Sequence, residues 1–239
     1  MRAHGHGVTD VGRRAENQDA LVADDGLGLY AVADGVGGVA GGRVASALAI
    51  ETLARFFERG TPRGKLGLDL PEGGFLVARE RMGLAVRMAH RQISRKQVGT
   101  LGRMSTTLAA VAVQDGQALI AHVGDSRVYR LRDGALELLT RDHSLAGLAA
   151  AAGMTDTMPN MLTRALGSAD ARPALRVEEA VPGDRFLLAT DGLTDAVRDG
   201  VLAELLAEGP PPAVATRLLR EALHEGAHDN VTAVVVAVA

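Results

Sequence analysis

The sequence predicts an α+β domain, with antiparallel strands paired into sheets that pack on each other and helices outside them. Three observations point there. Apolar runs of strand length recur along the chain, at residues 27–33, 107–113, 118–123, 128–131, 136–139, 186–190 and 231–238. Asp-Gly pairs separate several of these runs. Long segments with apolar residues at helical spacing interrupt them.

The Asp-Gly pairs set the pairing. Asp-Gly between two apolar runs is a hairpin signal, because both residues tolerate the positive φ that a tight turn needs. Asp25-Gly26, Asp115-Gly116 and Asp133-Gly134 stand in this context and are expected to be turns without chemistry. Hairpins make their strands antiparallel. In the segment 43–59, Ala45, Ala49, Leu53 and Phe56/Phe57 share one helical face. In 75–97, Met82, Val86, Ala89 and Ile93 do the same. The Gly- and Pro-rich stretch 60–74 between them predicts an exposed loop. A third helix is expected over 211–224, with Pro211 and Pro212 at its start.

Composition bounds the function. With 239 residues and 47% hydrophobic content, the chain can bury one substantial core, so one domain over 1–239 is expected. The net charge of -3 and the lack of a Lys/Arg block argue against nucleic acid. There is no cysteine, which excludes disulfides, thiolate metal sites and thiol nucleophiles. Met1-Arg2-Ala3-His4 is not followed by an apolar run, so no signal peptide is expected. No apolar stretch approaches the roughly 20 residues that span a bilayer. A cytoplasmic monomer is the expectation.

Other Asp pairs stand where no strand returns. Asp34-Gly35 ends an apolar run, and a glycine-rich stretch and a helix follow. Asp191-Gly192 ends the run 186–190 and leads into a helix-like segment. Asp229-Asn230 immediately precedes the last strand. Three carboxylates at strand ends can project from one rim, and hard divalent cations take oxygen ligands. A glycine beside such an aspartate lets the backbone approach an ion. Metal coordination can bring the pKa of water from about 15.7 to about 7, which supplies a nucleophile without Ser, Cys or His.

The segment Thr9-Asp10-Val11-Gly12-Arg13-Arg14-Ala15-Glu16-Asn17-Gln18-Asp19 completes a pattern. Arg14 precedes Asp19 of an Asn-Gln-Asp cluster. Then come Ala-Asp-Gly-x-Gly-Gly at 33–38, Gly-Asp-Ser-Arg at 124–127, Thr-Asp-Gly-Leu at 190–193 and Asp-Asn-Val-Thr at 229–232. In this order the motifs resemble those of the protein phosphatase 2C family, the metal-dependent PPM phosphatases, in its compact bacterial form.

The resemblance implies two packed antiparallel β-sheets with helices on both outer faces, a four-layer αββα sandwich. It implies a protein serine/threonine phosphatase that opposes a Ser/Thr kinase. By similarity, Asp34 bridges two Mn²⁺ or Mg²⁺ ions, and the Gly35 carbonyl binds one of them. Asp191 and Asp229 hold the second. Asp125, with Asp191, corresponds to a weaker third site, and Asp19 acts through metal-bound waters. Arg14 would grip the substrate phosphate with its fork of donors. The implied reaction is in-line attack by a metal-bridging hydroxide, without a phosphoenzyme.

Some positions qualify this picture. Val36 stands where several eukaryotic members carry a histidine proposed to protonate the leaving oxygen, so a metal-bound water is the candidate acid. Met104-Ser105-Thr106-Thr107 is expected to start a strand. His143 and His122 are expected to be structural. Residues 144–168 match the family's flap and are expected to set protein-substrate preference. A dinucleotide site at Gly35-x-Gly37-x-x-Ala40 would put Asp34 against a pyrophosphate and needs a βαβ unit that the hairpins replace. The other alternative is a non-catalytic phosphoprotein-binding module on the same fold. The intact set Arg14, Asp34, Asp191 and Asp229 argues against it.

Overall fold

The computed structural model describes residues 2–37, 41–59, 75–154 and 161–239. The chain begins with β1 (Ala3–Asp10), β2 (Asp19–Asp24) and β3 (Leu29–Val36). Helices α1 (Gly41–Glu58) and α2 (Phe75–Lys96) follow, then the short β4 (Ser105–Thr106). Next come β5 (Leu108–Gln114), β6 (Gln117–Val123), β7 (Arg127–Arg132) and β8 (Ala135–Leu138). Helix α3 (Leu145–Ala151), β9 (Ala174–Glu179) and β10 (Arg185–Ala189) lead into α4 (Asp191–Thr194) and α5 (Asp199–Ala207). The chain closes with α6 (Pro211–His224) and β11 (Val231–Val238). The expected loop at 60–74, Gly38 and Ala40 of the glycine-rich stretch, and Met158, Pro159 and Asn160 of the flap lie outside the described residues.

Two antiparallel sheets form. One has the order β1-β11-β10-β7-β8, and the other β2-β3-β5-β6-β9 with β4 beside β3. Asp115 and Asp133 have φ of 49° and 50°, and Gly116 and Gly134 follow at 75° and 78°. Two consecutive positive φ values are the I′ turn that matches strand twist. Asp25-Gly26 also joins a hairpin, but by a longer turn. Asp24 pairs with Leu29, so that strand starts later than its apolar run suggests. Gly28, not Gly26, takes the positive φ.

Strand periodicity explains the four layers. Along β3, Tyr30 and Val32 face the other sheet, where they meet Val128, Phe186, Leu188 and Val234. Leu29, Ala31 and Ala33 face the opposite way, into the core under α1 and α2. Both faces are buried, so the strand reads as a continuous apolar run. On the far side, Leu187, Val231 and Val235 pack against Leu202 of α5 and Val214 and Leu218 of α6. The order is helices, sheet, sheet, helices. Replacing one of the wholly buried inter-sheet residues such as Leu188 with alanine would cost about 2–5 kcal/mol.

The helices α1, α2 and α6 match their expected spans closely, and all four apolar residues named for α2 are buried. Strands β1 and β9 and helix α5 extend beyond the sequence-based expectation.

Candidate metal centre

The carboxylates singled out from the sequence converge at one rim. Asp34 lies near the end of β3, with Asp19 directly opposite it across the β2–β3 ladder. Asp191 is the first residue of α4, immediately after β10, and Asp229 stands just before β11. Asp125 sits in the turn between β6 and β7. Each sheet thus supplies ligand candidates, and the packing of the two sheets brings them together. Arg14, Asp34, Asp125, Asp191 and Asp229 all line one cleft of about 1010 Å³.

Backbone packing fixes two of these positions. A side chain at Gly35 would run into the Gly42 carbonyl at the start of α1. One at Gly192 would run into the Asn230 carbonyl. These glycines serve close contact between protein segments, where the sequence suggested room for an ion. Thr107 is buried, and its hydroxyl accepts from the Asp34 amide at 2.9 Å. It also contacts the Ser126 hydroxyl at 2.6 Å. Thr106 donates to the Asp34 carbonyl at 2.7 Å. The Ser105–Thr107 segment starts a strand as expected, and it also holds Asp34 from both sides of its peptide.

Other supports stand inside the motifs at 190–193 and 229–232, though the sequence did not show what they touch. Asp19 Oδ2 accepts from the hydroxyls of Thr190 (2.9 Å) and Thr232 (2.6 Å). Asn230 Oδ1 accepts from the Gln18 amide at 2.8 Å. Its Nδ2 donates to the carbonyls of Val11 (2.9 Å) and Glu16 (3.0 Å). That side chain staples the 11–18 loop, which carries Arg14, to the edge of β11. Arg14 Nη2 in turn donates to Asp229 Oδ2 at 2.7 Å, and the side chain lines the cleft.

The electrostatics are those of a cation site. Burial is the main cause that raises Asp19, Asp34, Asp125 and Asp191, and neighbouring aspartates add to it in each of these four. Asp19 and Asp191 are pushed up to about 6 and Asp125 to about 7. Asp34 lies well above its ordinary value. Asp19 Oδ1 and Asp191 Oδ1 are buried and have no hydrogen-bond partner among the described residues. A buried carboxylate oxygen without a donor is costly unless something cationic faces it. Five aspartates against one guanidinium leave four negative charges, which two divalent cations would balance. The donors are all oxygen, the set that suits Mg²⁺ and Mn²⁺. The residues fit the ions that the sequence implies.

The two histidines lie beside this centre. His143 accepts from the Gly124 amide through Nδ1 at 3.3 Å, and its own amide donates to the Gly124 carbonyl at 2.7 Å. His122 is buried and stacks on His143 with ring centroids 4.5 Å apart. Burial keeps both neutral, with His122 lowered to about 3 and His143 to about 4. Arg127, the last residue of Gly-Asp-Ser-Arg, pairs with Asp142 through Nε and Nη2, the latter at 2.7 Å.

A sandwich of this order, with an acidic oxygen cluster at the rim shared by its sheets, defines the class of metal-dependent phosphatases. The chain belongs to the protein phosphatase 2C family, whose model matches residues 7–225. It is 36% identical over 231 residues to the serine/threonine protein phosphatase PstP of Mycobacterium tuberculosis, covering 93% of this chain but only 42% of that protein. It is 30% identical to the protein phosphatase PhpP of Streptococcus pneumoniae, covering 96% of this chain and 95% of PhpP. The crystal structure of the PstP catalytic domain in complex with two manganese ions superposes with a TM-score of 0.85 at 34% identity, over 99% of this chain and 98% of that one.

Proposed function

We propose that this chain is a metal-dependent protein serine/threonine phosphatase, with residues 1–239 acting as one catalytic unit. The observation that carries the reading is the convergence of Asp34, Asp191 and Asp229 beside Arg14, with Oδ1 of Asp191 and of the adjoining Asp19 buried and without a hydrogen-bond partner among the described residues. Asp34, the Gly35 carbonyl, Asp191 and Asp229 would hold two Mn²⁺ or Mg²⁺ ions. Asp125 with Asp191 would hold a weaker third, and Asp19 would act from the outer shell. When bound, such ions supply Lewis acidity and an activated water.

The chain's own residues do the rest. Arg14 presents guanidinium donors to the phosphate oxygens and neutralises charge that builds on them. Asp229 orients that guanidinium by taking one of its N–H groups. Thr190 and Thr232 keep the Asp19 carboxylate from turning away, and Thr107 fixes the backbone of Asp34. No Ser, Cys or His nucleophile is required, and no covalent phosphoenzyme forms. The substrates are phosphoproteins made by a Ser/Thr kinase, met by a monomer in the cytoplasm. No described helix is long and apolar enough to cross a membrane.

The test is phosphate release from a phosphothreonine peptide by metal-stripped protein, with and without Mn²⁺, beside Asp191→Asn. Metal-dependent release that falls by about 100-fold or more in the variant is expected. A wild-type protein that binds Mn²⁺ yet releases nothing would sink the reading and favour a phosphoprotein-binding module.

A further inference from the structure

The cations of α2 differ from others on the surface. Asp and Glu make up 29 of the 239 residues, yet none lies between Arg81 and Gln114, so the second half of α2 carries no acid of its own. Arg87, Arg91, Arg95 and Lys96 are exposed, as are Met88 and Gln92 between them. The opposite face buries Met82, Val86, Ala89 and Ile93 in the core. Elsewhere exposed arginines find carboxylates: Arg43 meets Glu16, Arg55 meets Glu51 and Arg172 meets Asp170. None of the four cations on α2 has an ion pair or a hydrogen-bonded acceptor for its side chain among the described residues.

Helix stability does not account for this pattern. Arg95 and Lys96 lie in the last turn, where cations complement the helix dipole. Arg87 and Arg91 lie before that turn, where the effect has faded. Arg87 with Arg91, and Arg91 with Arg95, stand four residues apart, a spacing at which like charges destabilise a helix. An anion laid along the row would relieve that repulsion.

Geometry selects the shape of the anion. Residues four apart on a helix are separated by about 6 Å along its axis. Alternate residues of an extended chain lie about 6.6 Å apart on one side. An extended segment with Asp or Glu at every second position therefore meets Arg87, Arg91 and Arg95 one for one. Met88 and Gln92 add an apolar and an amide contact beside the row. The net charge is -3 and these four residues contribute +4, so the rest of the chain carries -7. A nucleic acid or an anionic bilayer that reached past the face would meet that excess, whereas a short acidic segment would not.

The face also borders the cleft. His90 of α2 accepts from the Gly167 amide at 3.1 Å, and Gln97 donates to the Gly167 carbonyl at 2.6 Å. The next residue, Ser168, lines the cleft. We propose that Arg87, Arg91, Arg95 and Lys96 form a docking face for an acidic, extended segment of a phosphoprotein, separate from the phosphoresidue held in the cleft. That the segment belongs to a substrate rests on the phosphatase reading. That the face binds it does not.

The test uses the full chain with Mn²⁺. Anisotropy compares a fluorescent peptide of alternating Glu and Ser, without phosphate, with its Gln-Ser counterpart. The wild type should bind the acidic peptide about ten-fold more tightly, as three modest exposed pairs would give, and the difference should shrink with added salt. The triple variant Arg87→Gln, Arg91→Gln, Arg95→Gln should abolish the difference. The reversal Arg87→Glu, Arg91→Glu, Arg95→Glu should favour a Lys-Ser peptide instead. Both variants should hydrolyse a short phosphothreonine peptide as the wild type does, which shows that they fold. Equal binding of the acidic and neutral peptides by the wild type overturns the docking face, and so does a difference that survives both variants. Arginine-dependent binding to phosphatidylglycerol vesicles or to DNA that is tighter than binding to the peptide also overturns it, and would assign the face to lipid or to nucleic acid. A phosphothreonine joined to the acidic segment through linkers of graded length should then gain about ten-fold in kcat/KM over the Gln-Ser version, in the wild type only. Binding without that gain at any length overturns the assignment to substrates. If no phosphothreonine peptide is hydrolysed, the phosphatase reading fails, and anisotropy alone decides whether the docking face stands.

Discussion

Asp19 and Asp34 stand directly opposite each other in the β2–β3 ladder. Like charges at directly opposed positions destabilise a sheet. Here the cost is raised by burial, which pushes the Asp19 carboxyl up to about 6 and Asp34 well above its ordinary value. The fold therefore stores an unfavourable charge arrangement, which cations held at the proposed site would relieve.

This sets a pH dependence. A carboxyl whose folded pKa is raised contributes stability that is present below its unfolded pKa and is lost as pH rises through the folded value. In metal-free protein, Asp19 and Asp191 (about 6) and Asp125 (about 7) therefore destabilise the fold most above about pH 7. Metal needs the same oxygens bare, so protons compete with it as pH falls. The buried histidines act oppositely: their depressed values give stability above about 6.5 that is lost on acidification. They are common to both states and cancel in the difference. The shift in Tm on adding saturating Mn²⁺ should be roughly 5–10 °C near neutral pH. It should shrink steadily from about pH 7.5 to about 5.5. A shift that stayed constant or grew on acidification would contradict the cluster as the binding site.

Asn230 predicts a different signature. Its side chain makes the three bonds that tie the Arg14 loop to β11, and it is buried. Alanine there leaves the Gln18 amide and two carbonyls short of partners, at about 1–3 kcal/mol for each group that water cannot reach. Asn230→Ala should lower Tm by several degrees and weaken inhibition by inorganic phosphate through a displaced Arg14. Unchanged phosphate inhibition would show that the loop keeps its place without the staple.

The metal set was readable in the sequence for a physical reason. Asp34, Asp125 and Asp191 stand at strand ends beside glycines, Asp229 stands beside Asn230 just before the last strand, and each combination leaves a short local signature. The contacts of the supports were not readable. Thr190 and Thr232 stand inside the motifs at 190–193 and 229–232, but they reach Asp19 from 171 and 213 residues away, and local pattern gives no sign of that contact. The same holds for the fold. The β5–β6 and β7–β8 hairpins were announced by turn chemistry. Strand β1, with its Gly5, Gly7 and two histidines, looks like a polar loop. A side chain at Gly5 would meet the ring of Tyr30, and one at Gly7 would meet Leu21. Its glycines answer to the neighbouring strands, which local patterning does not show. Strand β9 hides its character behind Arg176 and Glu178, which pair with each other on its surface.

Thr107 links the two sides of the centre. One hydroxyl joins the Asp34 amide to Ser126, the neighbour of Asp125. Thr107→Val keeps the shape and removes the hydroxyl, which orphans a backbone donor and costs about 1–3 kcal/mol. Thr107→Ser should restore most of the lost stability. Metal affinity should fall about 10-fold or more in the valine variant and recover in the serine one. Calorimetric titration with Mn²⁺ would read both. Equal affinity in all three proteins would mean that Asp34 needs no such support.

Arg14 separates charge from geometry. Its guanidinium contacts Asp229 at 2.7 Å while most of the side chain remains exposed, and it stands in the cleft with the carboxylates. A guanidinium can hold Asp229 and a phosphate at once because its donors point in several directions in one plane. A lysine ammonium keeps the charge but loses the fork. If the role were only to balance charge, Arg14→Lys would behave like wild type. If the fork grips phosphate, Arg14→Lys should raise KM for a phosphothreonine peptide about 10-fold, and Arg14→Ala should raise it further and also lower kcat. Both variants should still bind Mn²⁺, since Arg14 is not a ligand. The decisive comparison is Mn²⁺ titration beside steady-state kinetics on the same preparations. Loss of metal binding in step with activity would move Arg14 from substrate recognition to support of Asp229.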